Sequence, residues 1–193
     1  MENANAAAAA PVTGKREVAQ KEKKGLQIRD VLLIGILLAA GAVLKFFVGS
    51  VINFGMKPNF IIAMYCLIIM LIRPGFIEAA IIGILAGAIC QFFPGQPYIN
   101  FISELLGAIA MCLLIKIPLE KLKIPVKPII CTFFSTLVSG FTFIAVMYIM
   151  YYFKVDIKPT PLAIFMAIIF GTATINAVIV QVLYIPLKLA LKL

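Results

Sequence analysis

Apolar residues run through six stretches of the chain with few interruptions, and polar or helix-breaking residues collect between them. Residues 29–48 read "RDVLLIGILLAAGAVLKFFV" and residues 58–72 read "PNFIIAMYCLIIMLI". Further runs cover 76–92, 100–117, 128–153 and 161–187. A helix rises about 1.5 Å per residue, so crossing a hydrocarbon core of about 30 Å takes roughly 20 residues. Most of the runs are near that length, and the second is short. Pro58 suits a first helical turn, where its missing N–H costs nothing. "RPG" at 73–75 stops the second run, and the two prolines of "KPTP" (158–161) mark the start of the sixth. The pattern predicts an all-α integral membrane protein with six transmembrane helices over residues 27–193, preceded by a mobile basic tail over residues 1–26.

Composition supports lipid as the solvent. The 193 residues are 63% hydrophobic and 13% charged, where a soluble domain is nearer a quarter charged. So much apolar surface cannot be buried in a core of this size. The net charge of +9 does not point to nucleic acid, because the basic residues flank the apolar runs. Counted by side, Lys15, Arg16, Lys21, Lys23, Lys24, Arg29, Arg73, Lys116, Lys121, Lys123, Lys127, Lys188 and Lys192 share one side, and Lys45, Lys57, Lys154 and Lys158 the other. By the positive-inside bias both termini are cytoplasmic. "NFGMKPNF" (53–60), "FFPGQPYIN" (92–100) and "KVDIKPTP" (154–161) then face outward. The tail is not read as a cleavable signal, since it leads into a full span with no small-residue cleavage site at its end.

The chain lacks the usual sets for chemistry. It has no His, and Cys66, Cys90, Cys112 and Cys131 are scattered inside apolar runs, where they read as small buried hydrophobes. No zinc site, no Cys/His nucleophile pair and no P-loop can be assembled. Glu78 and Glu104 begin their spans on opposite sides, so they do not form an acid–base pair. The expectation is a protein that is not an enzyme and carries no metal or cofactor.

Polar residues at membrane depth are costly and default to functional hypotheses. They collect on the outward side: Lys45; Asn53, Phe54, Met56, Lys57 and Asn59 around the first loop; Gln91, Gln96, Tyr98, Asn100 and Glu104 around the third-to-fourth connection. Each has a plainer reading. Lys45 can snorkel to the headgroups, Lys57 can be an exposed turn residue, and Tyr148, Tyr151 and Tyr152 can form an interfacial belt. Together, cations, one carboxylate, amides and rings suit a small zwitterion carrying an aromatic group. Asn176 lies deeper in the sixth run and is kept as a candidate beside its plainer reading, an interhelical hydrogen bond. Small residues form two stripes. Ala79, Gly83 and Gly87 read as packing within the bundle; Gly35 and Ala39 read as packing or as a docking face.

"GMKPN" (55–59), "FPGQPYIN" (93–100), the Gly35/Ala39 face and "INAVIVQVLYIPL" (175–187) make the chain resemble the substrate-binding (S) components of energy-coupling factor transporters. More narrowly, it resembles the tryptophan-specific TrpP-like family of Firmicutes. That family usually carries Asp where Asn59 stands, and Glu104 is the acid available to replace it. The resemblance implies a six-helix bundle in the bacterial plasma membrane that binds tryptophan near its outer face. It implies a substrate site drawn from Lys45, Phe54, Met56, Lys57, Asn59, Tyr98, Asn100, Glu104 and Asn176. It further implies a transmembrane coupling subunit docked at Gly35 and Ala39, and two separate ATPase subunits that use the ATP. The absence of Trp from the chain fits a protein made under tryptophan starvation. The residues alone leave open an S component for another aromatic solute or vitamin, and a stand-alone secondary carrier, although no internal repeat between the two halves is visible.

Overall fold

A computed structural model describes residues 25–51, 58–94, 96, 98–118, 126–155 and 161–192. Six helices follow one another: α1 (Ile28–Val51), α2 (Ile61–Ile72), α3 (Phe76–Cys90), α4 (Ile99–Leu114), α5 (Lys127–Tyr152) and α6 (Leu162–Ala190). Each boundary falls within about three residues of the hydropathy expectation. The stops have local causes. Arg73 takes a left-handed conformation (φ 52°) that returns its N–H to the Ile69 carbonyl, and Pro74 cannot continue the helix. Glu78 accepts the Gly75 N–H at 2.8 Å and so closes the first turn of α3. Pro128 occupies the first turn of α5. α6 runs three residues past the expected end, through Pro186. A proline so near the terminus removes one hydrogen bond without ending the helix.

Three helices, over Ile28–Val48, Lys127–Tyr152 and Leu162–Ala190, are long and apolar enough to cross a membrane. The other three are shorter, and α2 is the shortest. Its 12 residues span about 18 Å, too little for a bilayer. The structure explains the shortfall: all 12 are buried, and α2 touches each of the other five helices. Its solvent is protein, which lets it be apolar on every side. Lipid-sized apolar residues instead face outward from the surrounding helices, as at Ile36 (66% exposed), Ile77 (75%) and Val182 (65%).

Tight helix pairs are made by missing side chains. A Cβ on Gly83 would stand 2.8 Å from the Glu104 carbonyl oxygen and the Leu105 Cα, and one on Gly87 would stand 2.8 Å from the Phe101 Cα. The Ala79/Gly83/Gly87 stripe is therefore internal packing between antiparallel α3 and α4. On α4, Gly107 leaves room for the buried Tyr65 hydroxyl, and its carbonyl accepts the Ser135 hydroxyl at 2.9 Å. Gly140 of α5 receives Ile169 of α6. The Arg29 guanidinium donates to the Leu191 carbonyl, so both ends of the described chain meet at one end of the bundle. Arg29, Arg73, Lys116, Lys127, Lys188 and Lys192 lie at that end; Lys45 and Lys154 lie toward the other. The remaining basic residues, and the tail over residues 1–24, lie outside the described residues.

Gly83→Val forces a side chain into the α4 backbone, and overpacking of this kind costs about 1–3 kcal/mol. Thermal unfolding in detergent should show a clearly lowered midpoint. Gly35→Ala, where no described residue stands within 4 Å of the added carbon, should leave the midpoint unchanged.

Candidate functional site

The loop before α2 delivers one residue, Asn59, to the centre of the bundle. Its Oδ1 accepts the Ile61 N–H at 3.3 Å, tying the amide to the start of α2. This leaves the Nδ2 group to donate, and it does so to Glu104 Oε1 at 2.6 Å and to Cys90 Sγ at 3.5 Å. An aspartate could accept the backbone N–H but could not donate to a carboxyl oxygen. Glu104, 1% exposed in the second turn of α4, receives a second bond at Oε2 from the Ser139 hydroxyl of α5 at 3.2 Å. On the other flank, Lys45 Nζ lies 3.2 Å from Cys90 Sγ and 5.1 Å from the centre of the Phe93 ring. Asn176 Nδ2, from α6, donates to the Asn59 carbonyl at 3.1 Å. A single polar chain, Lys45–Cys90–Asn59–Glu104–Ser139, with Asn176 joined at Asn59, thus links all six helices.

A partly open cavity of about 110 Å³ lies against this chain. Lys45, Asn59, Asn100, Ser103, Glu104 and Ser139 give it a polar wall. Phe143, Phe165, Ile62, Ile168 and Ile169 give it an apolar wall. The rings of Phe143 and Phe165 lie 6.3 Å apart. Pro94 and Gln96 from the α3–α4 connection also line it, and so do Thr136 and Thr172. A charged and amide side facing a ring-lined side can hold a molecule that is ionic at one end and aromatic at the other. Among the described residues no group of three His, Cys, Asp or Glu could hold a metal ion.

The candidates named from the sequence fare differently. Lys45, Asn59, Asn100 and Glu104 line the cavity. Lys45 is 7% exposed and turned inward, which replaces the snorkelling alternative. Asn176 is fully buried, does not line the cavity, and among the described residues joins the site through the Asn59 carbonyl. Tyr98 is left out: it is 72% exposed, and its positive φ of 66° at the start of α4 turns it away while its N–H bonds Gln91. Phe54, Met56 and Lys57 lie outside the described residues. Gly35 and Ala39 sit together on an exposed face of α1. Glu78 is remote from Glu104. It caps the far end of α3, whereas Gly83, five residues on, is the residue that meets Glu104.

Several site residues escaped the sequence reading: Thr136, Ser139, Phe143, Phe165 and Thr172, which line the cavity, and Cys90, which joins Lys45 to Asn59 beside it. The pairs Thr132/Thr136 and Ser135/Ser139, each four apart on α5, were a usable signal, because hydroxyls at helical spacing in an apolar segment mark an interior face. The phenylalanines gave none, since the chain has 15.

Residues 27–192 match the family described as "Tryptophan transporter TrpP". The chain belongs to this family. The TrpP match contains all six helices and every residue of the polar chain. The chain is also 24% identical over 170 residues to a "probable tryptophan transport protein" of Clostridium acetobutylicum, covering 86% of this chain and 96% of that one. No solved structure matches. An amide at position 59 suits its place, since its neighbour is already a carboxyl group and the amide can donate to it.

Asn59→Ala removes one of the two donors to Glu104, and Ser139→Ala the other. Stranding a buried acceptor costs about 1–3 kcal/mol, so each should lower the thermal midpoint in detergent. The loss should be larger for Asn59→Ala, which also frees the start of α2.

Proposed function

We propose that this protein is the substrate-binding membrane subunit of an energy-coupling factor transporter and that it takes up tryptophan. The observation that carries the reading is the two-sided cavity. Glu104, fixed by Asn59 and Ser139, offers a carboxylate to the substrate ammonium. Lys45 offers a cation to the substrate carboxylate, with Lys57 as a second candidate. The apolar wall of Ile168 and Ile169, with the Phe143 and Phe165 rings beyond it, receives the indole. Family membership and the relative's printed name favour tryptophan among aromatic zwitterions.

In this reading the six-helix bundle sits across the bacterial plasma membrane, with the short α2 enclosed by the other helices and shielded from lipid. The Asn59 end faces outward, because the described basic residues crowd the opposite end. The cavity holds about one aromatic ring; an engineered cavity of roughly 150 Å³ accepts benzene. A bicyclic amino acid must therefore extend through the open side or part the helices as it enters, a change that couples binding to conformation. The chain has no P-loop, so energy comes from partners: a transmembrane coupling subunit docked on the Gly35/Ala39 face of α1, and two ATPase subunits that hydrolyse ATP.

Because the chain contains no Trp, indole emission in a purified sample reports ligand alone. Titration with tryptophan should give a saturable spectral shift at micromolar concentrations. No shift, together with saturable binding of a vitamin, would replace tryptophan as the substrate.

Docking is tested separately. Gly35→Leu with Ala39→Leu should retain tryptophan binding and abolish uptake by cells carrying the complete transporter; normal uptake would remove that face from the coupling role.

A further inference from the structure

Membrane-helix threonines usually satisfy their hydroxyl on the carbonyl four residues earlier. Two threonines of this bundle do so: Thr136 donates to the Thr132 carbonyl at 2.8 Å and Thr174 to the Phe170 carbonyl at 2.9 Å. Thr172 does not. It is 6% exposed and lines the cavity, and its Oγ1 is buried with no hydrogen-bond partner among the described residues. Its cavity neighbours on α6 are Phe165, Ile168 and Ile169, none of which offers a side-chain hydrogen-bonding group, so the oxygen is left without a donor. A buried hydroxyl left unmatched in an apolar wall is costly, and a ligand in the cavity can relieve it.

The position fits the far end of a ligand held at Glu104. Gly140 packs on Ile169, and the Phe143 ring approaches that of Phe165. α5 and α6 therefore run antiparallel in a register that sets Thr136 opposite Thr172. Ser139 carries the bond to Glu104, and Thr136 is three residues earlier, about 4.5 Å along the axis. A group bound at Glu104 thus has one helical turn of mostly apolar wall before it meets the two threonines, a span comparable to an indole ring.

We propose that Thr172 Oγ1 accepts the ring N–H of the indole and so selects indole over carbocyclic and sulfur-containing rings of the same shape. This rests on the reading of the cavity as a tryptophan site. Thr136 lines the same level with its hydroxyl already bonded to the Thr132 carbonyl; its oxygen is the competing acceptor that the test separates from Thr172.

The test compares tryptophan with 3-benzothienylalanine, in which sulfur replaces the ring N–H, by calorimetry on the purified full chain. Sites built to hydrogen-bond a substrate group reject analogues lacking it strongly. The wild type should prefer tryptophan by about tenfold or more. Thr172→Val should bring the two affinities to within about twofold by weakening tryptophan alone, while Thr172→Ser and Thr136→Val keep the preference. Equal affinities in the wild type would overturn the assignment. So would an equal loss for both ligands in Thr172→Val, or a preference that Thr136→Val abolishes and Thr172→Val preserves. A wild type that binds neither ligand would overturn the tryptophan reading itself, a result distinct from the others.

Discussion

The structure turns on one hydrogen bond, from the Asn59 amide to the Glu104 carboxyl group at 2.6 Å. A charged side chain at membrane depth costs on the order of 3 kcal/mol even by insertion scales, and an unpaired one is not retained without a purpose. Here the carboxyl group is held by one donor from the loop before α2 and one from α5, and left facing a cavity. Asn59 can hold it because its other face is spent on the first turn of α2, which fixes the direction of the donating nitrogen. The same residue accepts from Asn176 through its backbone and meets the thiol that contacts Lys45. One short loop end therefore sets the spacing of an acid, a base and a ring-lined wall.

Packing makes that arrangement affordable to the fold only in part; the remainder comes from glycine. Gly83 and Gly87 bring the α4 backbone against α3, which places Cys90 and Glu104 on either side of Asn59. Gly107 brings α4 to α2 and α5, and Gly140 brings α5 to α6, in the same way. With α2 enclosed, the polar chain is screened from lipid, where its groups would have no partners. The outer surfaces of α1 and α6 stay apolar or small and are free to meet lipid or another membrane subunit.

Hydropathy made the six helices legible, because an apolar run bounded by proline, glycine and charge has few other folds open to it. It also gathered Lys45, Asn59, Asn100 and Glu104 at one end, since topology alone decides which loop ends are neighbours. Rotation of each helix about its axis was not legible. That rotation separates Phe143 and Phe165 from the other phenylalanines, and it sends Tyr98 outward through a single positive φ. Cys90 was read as an inert hydrophobe. Its burial is as expected, but its sulfur, a weak acceptor, takes on meaning only with Lys45 and Asn59 beside it. The short second run was visible as an anomaly, whereas its cause, enclosure by five helices, is a tertiary property.

The role assigned to Glu104 is to meet the substrate ammonium. The most direct measurement is the affinity of wild type and Glu104→Gln for tryptophan and for indole-3-propionate, which keeps the ring and the carboxylate but has no ammonium. A loss of about tenfold or more for tryptophan, with indole-3-propionate unaffected or bound better, is the predicted result. An equal loss for both ligands, or no loss for either, would contradict it.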